Sequence, residues 1–130
     1  MKFTVGELIE EIEDLELLQG NPAETLQCGY VSDLLSDVMR NAESNSIWIT
    51  IQHHENVIAV ALMADISVVV FATGVTPGEE VLERAREEEI TVCSYRGNSF
   101  DLAGKLYHLG LRSTPTQAPE IEQTNNSQGG

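Results

Sequence analysis

The chain is poor in cysteine, and this shortage excludes several kinds of metal and redox site. Its two cysteines, Cys28 and Cys93, stand far apart, and neither belongs to a CxxC pair. They cannot form a zinc or iron–sulfur cluster without ligands from elsewhere. Both lie in predicted strands, so we expect buried free thiols in a reducing cytoplasm, with a disulfide as the alternative.

Basic residues and long apolar runs are also scarce. Seven Lys and Arg residues stand against 21 Asp and Glu residues, which leaves a formal net charge of −14. Such a surface repels phosphates, so the composition predicts no nucleic-acid partner and disfavours anionic membranes. The longest apolar run, Val57 to Ala64, is far short of the ~20 residues that span a bilayer. The N-terminus becomes acidic too early for a signal peptide, and we expect a cytoplasmic protein that binds no membrane.

Aromatic residues make up only 5% of a chain that is 42% hydrophobic, so aliphatic side chains must build the core. A length of 130 residues is enough for one domain with a core of its own. After Leu111 the sequence has two prolines, two glycines and almost nothing to bury. We therefore predict one domain over residues 1–111 and a disordered C-terminal tail over residues 112–130.

Hydrophobic periodicity predicts alternating helices and strands along the domain. The first helix begins with a capping box, in which Thr4 caps and Glu7 follows three residues later. Strands are predicted over LELLQG and TLQCGYV. From Ile47 onward the order is strand–helix–strand–helix–strand–helix, and short loops between such units imply parallel strands with right-handed crossovers. The predicted fold class is α/β: a three-layer sandwich with a mainly parallel central sheet and helices on both faces.

Two further helix starts are predicted from local capping signals. Ser32 is expected to be the N-cap of one helix, with Asp33 in its first turn as a partner of the helix dipole. The side chains that this helix would turn inward are Leu34, Leu35, Val38, Met39 and Ala42. In a second helix Thr76 caps, Pro77 occupies the first helical position and Glu79 completes a capping box. The alternative for Ser32 and Asp33 is that they face a ligand.

Polar residues collect where the predicted parallel strands end. In open parallel sheets, ligands bind beyond these carboxyl ends, towards which helix N-termini point their N–H groups. The candidate ligand-binding residues are Ser32, Asp33, Thr50, Gln52, His53, Asn56, Thr73 and Gly74. We expect them to line one rim of the sheet, where Thr73 and Gly74 would cradle a small anion.

No motif specifies catalysis, a metal or a cofactor. The adjacent His53 and His54 point in different directions, so they do not chelate one metal together. The turn around Thr73 and Gly74 matches neither GxxxxGK[ST] nor GxGxxG. Spacing defines no pair of nucleophile and base, and no lysine lies near the rim. The sequence therefore predicts no catalytic residue, no metal and no cofactor.

The order of several segments resembles a known family. They are TVGELIEEIEDLELLQG, GYVSDLLSDVM, WITIQHHENVIAVALMAD, VVVFATGVTPGEEVLERAREEEITV and SFDLAGKLYHLGL, which together cover roughly residues 2–111. In this order they resemble small stand-alone DRTGG-domain proteins and the N-terminal, non-catalytic domain of HPr kinase/phosphorylase. The resemblance implies an α/β regulatory or ligand-sensing module without kinase activity. It also implies an association with hydrogenase or redox-complex subunits.

Three functions are open at this point. The first is a non-catalytic module that senses a small anionic or nucleotide-like ligand at the rim. The second is a homodimeric scaffold that binds a partner protein and no small ligand; its interface would include the Val57–Ala64 helix, which is apolar on every side. These two are compatible. The third is an enzyme, which would need Asp33 or a histidine as general base.

Overall fold

The computed structural model describes residues 2–115, which form seven strands and five helices. In chain order these are β1 (Phe3–Thr4), α1 (Val5–Glu11), β2 (Leu15–Gln19), β3 (Thr25–Leu26), β4 (Cys28–Val31), α2 (Leu35–Asn41), β5 (Ser46–Thr50), α3 (Asn56–Met63), β6 (Val68–Phe71), α4 (Glu79–Glu87), β7 (Thr91–Tyr95) and α5 (Ser99–Leu109). No helix within residues 2–115 is long and apolar enough to cross a bilayer.

Five strands form one central sheet in the order β2-β7-β6-β5-β4. Neighbours among β4, β5, β6 and β7 are parallel, whereas β2 runs antiparallel to β7. The short strands β1 and β3 pair separately as an antiparallel ribbon. The mainly parallel central sheet predicted from the sequence is confirmed.

Helices cover both faces of this sheet because its central strands bury side chains on both sides. On one face, α1 and α5 pack in a cluster that includes Ile47 and Ile49 of β5. On the opposite face, α2, α3 and α4 pack in a second cluster that includes Trp48. Successive side chains of a strand point to opposite faces, so β5 contributes to both clusters. The predicted three-layer sandwich is therefore confirmed.

The ends of α1 and α5 follow their local sequence signals. Thr4 Oγ1 accepts a hydrogen bond from the Glu7 backbone N at 3.1 Å, and the Glu7 carboxylate accepts one from the Thr4 backbone N at 2.9 Å. The predicted capping box is confirmed. At the other end of the domain, α5 stops at Gly110, whose φ of 117° is a left-handed conformation that glycine adopts without a Cβ clash.

The predicted start of α2 is wrong. The N-cap is Leu34, which makes no side-chain capping bond, and Ser32 Oγ instead accepts from the Leu34 backbone N at 3.2 Å. Asp33 therefore lies before the helix and not in its first turn. Leu34 is 64% exposed and Met39 is also exposed, so neither faces the core as predicted, whereas Val38 is buried.

A tertiary contact ties α2 to the sheet. The Tyr30 hydroxyl on β4 donates to the Asp37 carboxylate at 3.0 Å, and the Asn41 amide donates to the same carboxylate at 2.9 Å. The hydrogen bond from Asn41, together with others such as that from Tyr30, holds the pKa of Asp37 below its usual value. Burial and the bond to Asp37 raise the pKa of Tyr30. The position of α2 thus depends on β4, which the local signal at Ser32 did not reveal.

The predicted start of α4 is also wrong. This helix begins at Glu79 with Gly78 as N-cap, and no side chain caps it. Thr76 is exposed and Pro77 is buried in the loop before the helix. Because Pro77 precedes the N-cap, it lies in the loop and not at the first helical position.

The apolar helix α3 has a buried side and an exposed side. Val57, Ile58 and Ala61 are buried, whereas Leu62 and Met63 are exposed, Met63 to 65%. No residue between Asn56 and Met63 is charged. A fully buried α3 is therefore excluded, and the outer side of the helix is an uncharged surface.

The predicted boundary between domain and tail stays a prediction. Just beyond α5, the carbonyl oxygen of Arg112 accepts a hydrogen bond from the Gly29 backbone N at 2.9 Å, so the chain lies along the outer edge of β4. Most of the segment predicted as a disordered tail, residues 116–130, lies outside the described residues.

Both cysteines are free and buried, which confirms the prediction made for the thiols. Burial raises the pKa of both, that of Cys93 to about 12. The thiolate is the form that reacts with iodoacetamide. At about pH 8 we therefore expect neither cysteine to be modified in the native protein, and both to be modified after denaturation in urea. Mass spectrometry counts the adducts, with Cys28→Ser as the control that isolates Cys93. Modification of native Cys93 at the rate of a free thiol would contradict this burial.

Candidate functional site

The loops that follow β4, β5, β6 and β7 form one rim at the carboxyl ends of the parallel strands, here called the carboxyl-end rim. The register aligns the ends of these strands, because Val31 is paired with Ile49, Thr50 with Phe71, and Phe71 in turn with Ser94. Neighbouring strands lie about 4.8 Å apart, so roughly 10 Å separates β5 from β7 along the rim. The predicted convergence of the four loops on one edge is therefore present.

Asp33 joins the loops after β4 and β5. Its Oδ1 accepts a hydrogen bond from the Thr50 hydroxyl at 2.8 Å and another from the Ile51 backbone N at 2.8 Å. Thr50 is fully buried, and its Oγ1 in turn accepts from the Gln52 backbone N at 3.0 Å. The structure thus brings together Asp33, Thr50 and Gln52, and it uses the first two to tie the loops to each other.

Ser32 is also committed to contacts within the protein. Its side chain caps the turn at Leu34, and its carbonyl oxygen accepts from the Trp48 indole N–H at 2.9 Å. Its backbone N donates to the Ile49 carbonyl at 3.3 Å, which extends the pairing of β4 with β5 by one residue. Ser32 therefore holds the loop after β4 against β5 through contacts within the protein.

The loop after β5 satisfies the first N–H groups of α3. His54 Nδ1 accepts from the Asn56 backbone N at 3.1 Å, and the His54 carbonyl accepts from the Val57 backbone N at 3.0 Å. These donors are consequently not free to hold an anion. The side chains of His53 and Asn56 are exposed and that of Gln52 is half-buried. The side chains of Gln52 and Asn56 make no hydrogen bond to another residue within the described part of the chain.

Thr73 and Gly74 occupy a left-handed turn whose N–H groups are already used. Their φ angles are 60° and 69°. The Thr73 backbone N donates to the Gly97 carbonyl at 2.7 Å, and the Gly74 backbone N donates to the Tyr95 carbonyl at 3.0 Å. The Thr73 hydroxyl donates to the carbonyl of Ala72. The turn therefore fastens β6 to the loop after β7, and its backbone does not form the anion cradle expected from the sequence.

A cavity of about 260 Å³ lies beside this turn, at the β6–β7 end of the carboxyl-end rim. Gly74, Thr76 and Ser94 line it with small or hydroxyl groups, and Arg96 supplies a cation. Arg96 is not among the candidate residues predicted from the sequence. It follows β7 directly, so its position at a strand end was a signal that sequence reasoning could have used.

The electrostatics of this cavity are mixed. Asp14 and Glu16 also line it, and Arg96 Nε lies 3.9 Å from Asp14 Oδ1. The Arg96 side chain is 80% exposed, so this long ion pair constrains it little. Nearby, Lys105 donates to the Tyr95 hydroxyl at 2.9 Å, and this bond raises the pKa of Lys105.

Within residues 2–115, no group of three or more His, Cys, Asp or Glu side chains is arranged to hold a metal.

Fold and rim together define a class of protein: a three-layer α/β domain with polar loops at the carboxyl ends of its parallel strands. A family model for the DRTGG domain matches residues 22–109, and the chain belongs to this family. The string Asp-Arg-Thr-Gly-Gly is absent from the sequence, so membership rests on the pattern of the whole segment. The resemblance noted in the sequence is confirmed.

A solved structure has the same fold. It comprises the CBS and DRTGG domains of the regulatory region of Clostridium perfringens pyrophosphatase, in complex with the activator diadenosine tetraphosphate. The two chains are 17% identical, with a TM-score of 0.60 over 78% of this chain and 43% of that one. At this identity the likeness shows the fold alone, and this chain corresponds to less than half of that structure. No curated protein matches the sequence.

The Asp33 contacts generate a prediction about stability. Asp33→Ala leaves the buried Thr50 hydroxyl and the Ile51 N–H without their acceptor, and we expect a loss of about 1–3 kcal/mol in the free energy of unfolding. Asp33→Asn keeps an acceptor oxygen and should lose clearly less. Urea denaturation followed by circular dichroism measures both, with Glu10→Ala on the exposed side of α1 as control. Equal stability of Asp33→Ala and the control would show that these bonds contribute nothing.

Proposed function

We propose that this protein is a non-catalytic regulatory module that binds a nucleotide at the carboxyl-end rim. The observation that carries the proposal is the position of Arg96, a cation beside a polar cavity at the ends of parallel strands. Membership of the DRTGG family supports it, as does the fold shared with a regulatory region that is complexed with a nucleotide activator.

The mixed charge of the cavity favours a nucleotide over a bare phosphate. Asp14 and Glu16 repel an isolated anion, and the chain as a whole carries a net charge of −14. A nucleotide also has ribose hydroxyl and base N–H groups, which donate hydrogen bonds to carboxylates such as those of Asp14 and Glu16. In our proposal Arg96 binds a phosphate oxygen, while Thr76 and Ser94 add hydroxyl contacts.

The other half of the carboxyl-end rim would contact the rest of the ligand. The roughly 10 Å between β5 and β7 is a distance that an extended nucleotide spans. Gln52, His53 and Asn56 present amide and imidazole groups there, which suit the edge of a base. Asp33 and Thr50 position this loop, and Ser32, Thr73 and Gly74 shape the floor of the site without donating to the ligand.

A partner that receives the regulatory signal is part of the proposal. The resemblance to stand-alone DRTGG-domain proteins supports a hydrogenase or redox-complex subunit in that role. The two buried free thiols support a reducing, cytoplasmic location. No chemical step is assigned to the module itself.

Calorimetric titration with adenine nucleotides, diadenosine tetraphosphate among them, tests the ligand site. We expect saturable binding, and we expect Arg96→Gln to weaken it at least about tenfold because one charge-assisted hydrogen bond is lost. The matched control is Arg40→Gln, which removes an exposed arginine from α2. Absence of binding at millimolar nucleotide would contradict the function, and equal affinity of both variants would contradict the site.

We also propose that the module is a homodimer that associates through the outer side of α3. Two copies that each carry a charge of −14 repel one another, so a contact between them requires a surface without acidic side chains. The outer side of α3 meets this requirement, with Leu62 and Met63 exposed, and Met39 is exposed on the adjacent helix α2. A two-fold axis would bring the same apolar patch of both copies together.

Analytical ultracentrifugation over a wide concentration range tests this association. Met63→Glu places a carboxylate in the patch of each copy. We expect this change to raise the dissociation constant of the dimer at least about tenfold relative to the unmodified chain. Phe100→Glu is the matched control, since Phe100 is an exposed apolar residue of α5 on the opposite face of the sheet. A monomer at every concentration, or equal effects of both variants, would exclude this interface.

A further inference from the structure

A second cavity, unrelated to the carboxyl-end rim, lies between α5 and the edge strand β4. Its volume is about 380 Å³, within the range of small-molecule sites. We call it the α5–β4 groove; its principal lining residues are Val31, Ile49, Ala103, Leu106, Tyr107 and Arg112. It lies on the face covered by α1 and α5, opposite to the proposed dimer surface on α3.

The chemistry of this groove is unusual for so acidic a chain. Within residues 2–115, none of the residues that line the groove is Asp or Glu, although the full sequence has 21 of them. Its walls are mostly aliphatic, and among the described residues that line it Arg112 is the one with a charge. A ligand that matches these walls has an apolar body and one anionic group.

Arg112 is held in place for such a ligand. Its guanidinium carbon lies 3.5 Å from the centre of the Tyr107 ring, a stacked cation–π contact. Its Nη1 donates to the carbonyl oxygens of Tyr107 and Leu111, at 3.0 and 2.8 Å. Both bonds leave from the same nitrogen, and Nε and Nη2 make no hydrogen bond within residues 2–115. This second edge has the two parallel N–H groups that bind a carboxylate in bidentate geometry.

The main chain beside Arg112 fixes the mouth of the groove. The Gly29 backbone N donates to the Arg112 carbonyl at 2.9 Å, which anchors this residue to β4. The side chain therefore starts from an anchored backbone and already stacks on the Tyr107 ring, so less conformational entropy is lost when it binds an anion.

The geometry points to a binding site for an aliphatic monocarboxylate in the α5–β4 groove, with the carboxylate on Arg112 and the hydrocarbon chain against Val31, Ala103 and Leu106. A volume of 380 Å³ equals about a dozen water molecules, which admits a ligand of roughly ten non-hydrogen atoms. Octanoate has this size. The site is independent of the nucleotide proposed for the carboxyl-end rim.

The test is an NMR titration of the full chain, labelled with ¹⁵N, with octanoate and with octan-1-ol as an uncharged probe of equal chain length. We expect octanoate to shift the amide signals of Gly29, Val31 and Tyr107 in a saturable way. Octan-1-ol should bind at least about tenfold more weakly, because it cannot pair with Arg112. Signals of Gly74 and Arg96, at the rim, should not move.

Variants of Arg112 separate charge from packing. Arg112→Gln should weaken octanoate at least about tenfold and leave the weak binding of octan-1-ol unchanged, and Arg112→Lys should restore part of the affinity. Arg40→Gln is the control for loss of one positive charge elsewhere, and the melting temperature of each variant reports whether it folds. The assignment would be overturned by equal affinity for octanoate and octan-1-ol, or by unchanged octanoate affinity in Arg112→Gln. It would also be overturned if only amide signals at the carboxyl-end rim shifted.

Discussion

Burial of the central strands on both of their faces is the constraint on which the rest of the structure depends. Every residue of β5 and β6 is buried, and the side chains alternate between two separate clusters. A sheet that is dry on both sides needs helices above and below it, and parallel strands need crossovers that supply those helices. The loops are thereby forced to the two ends of the strands, where the carboxyl-end rim forms.

Hydrogen bonds inside the rim decide what it can offer a ligand. Asp33 Oδ1, the Ser32 hydroxyl, the Thr73 backbone N and the first N–H groups of α3 all make hydrogen bonds within the protein. Such pairing is what burial demands of backbone polar groups, and it ties the loops of the rim to one another. Recognition is left to groups that face outward, above all Arg96, together with the side chains of Gln52 and Asn56. In the proposed function, these outward-facing side chains are the ones that contact the nucleotide.

The molecule separates three surfaces of different chemistry. The carboxyl-end rim is polar and of mixed charge, the outer side of α3 is apolar and uncharged, and the α5–β4 groove is apolar with one cation. Each lies on a different side of the sheet. Although the chain carries a net charge of −14, no acidic residue lies within α3 or among the described residues that line the α5–β4 groove. The contacts proposed with a second copy, with a nucleotide and with a carboxylate therefore use different residues.

The sequence by itself determined the order of the five helices and of the strands of the main sheet, its mainly parallel pairing and the edge of the sheet at which polar loops gather, but it did not show the short ribbon of β1 and β3. These follow from periodicity and from local signals such as the capping box of Thr4 and Glu7 and the left-handed Gly110. Only the tertiary structure decided the start of α2, the loop position of Pro77 and the partners of Asp33. Thr50 and Ile51, which bind Asp33, are 17 and 18 residues away in the chain. A local pattern cannot show such a partner, because the competing hydrogen bond exists only after β4 and β5 have paired.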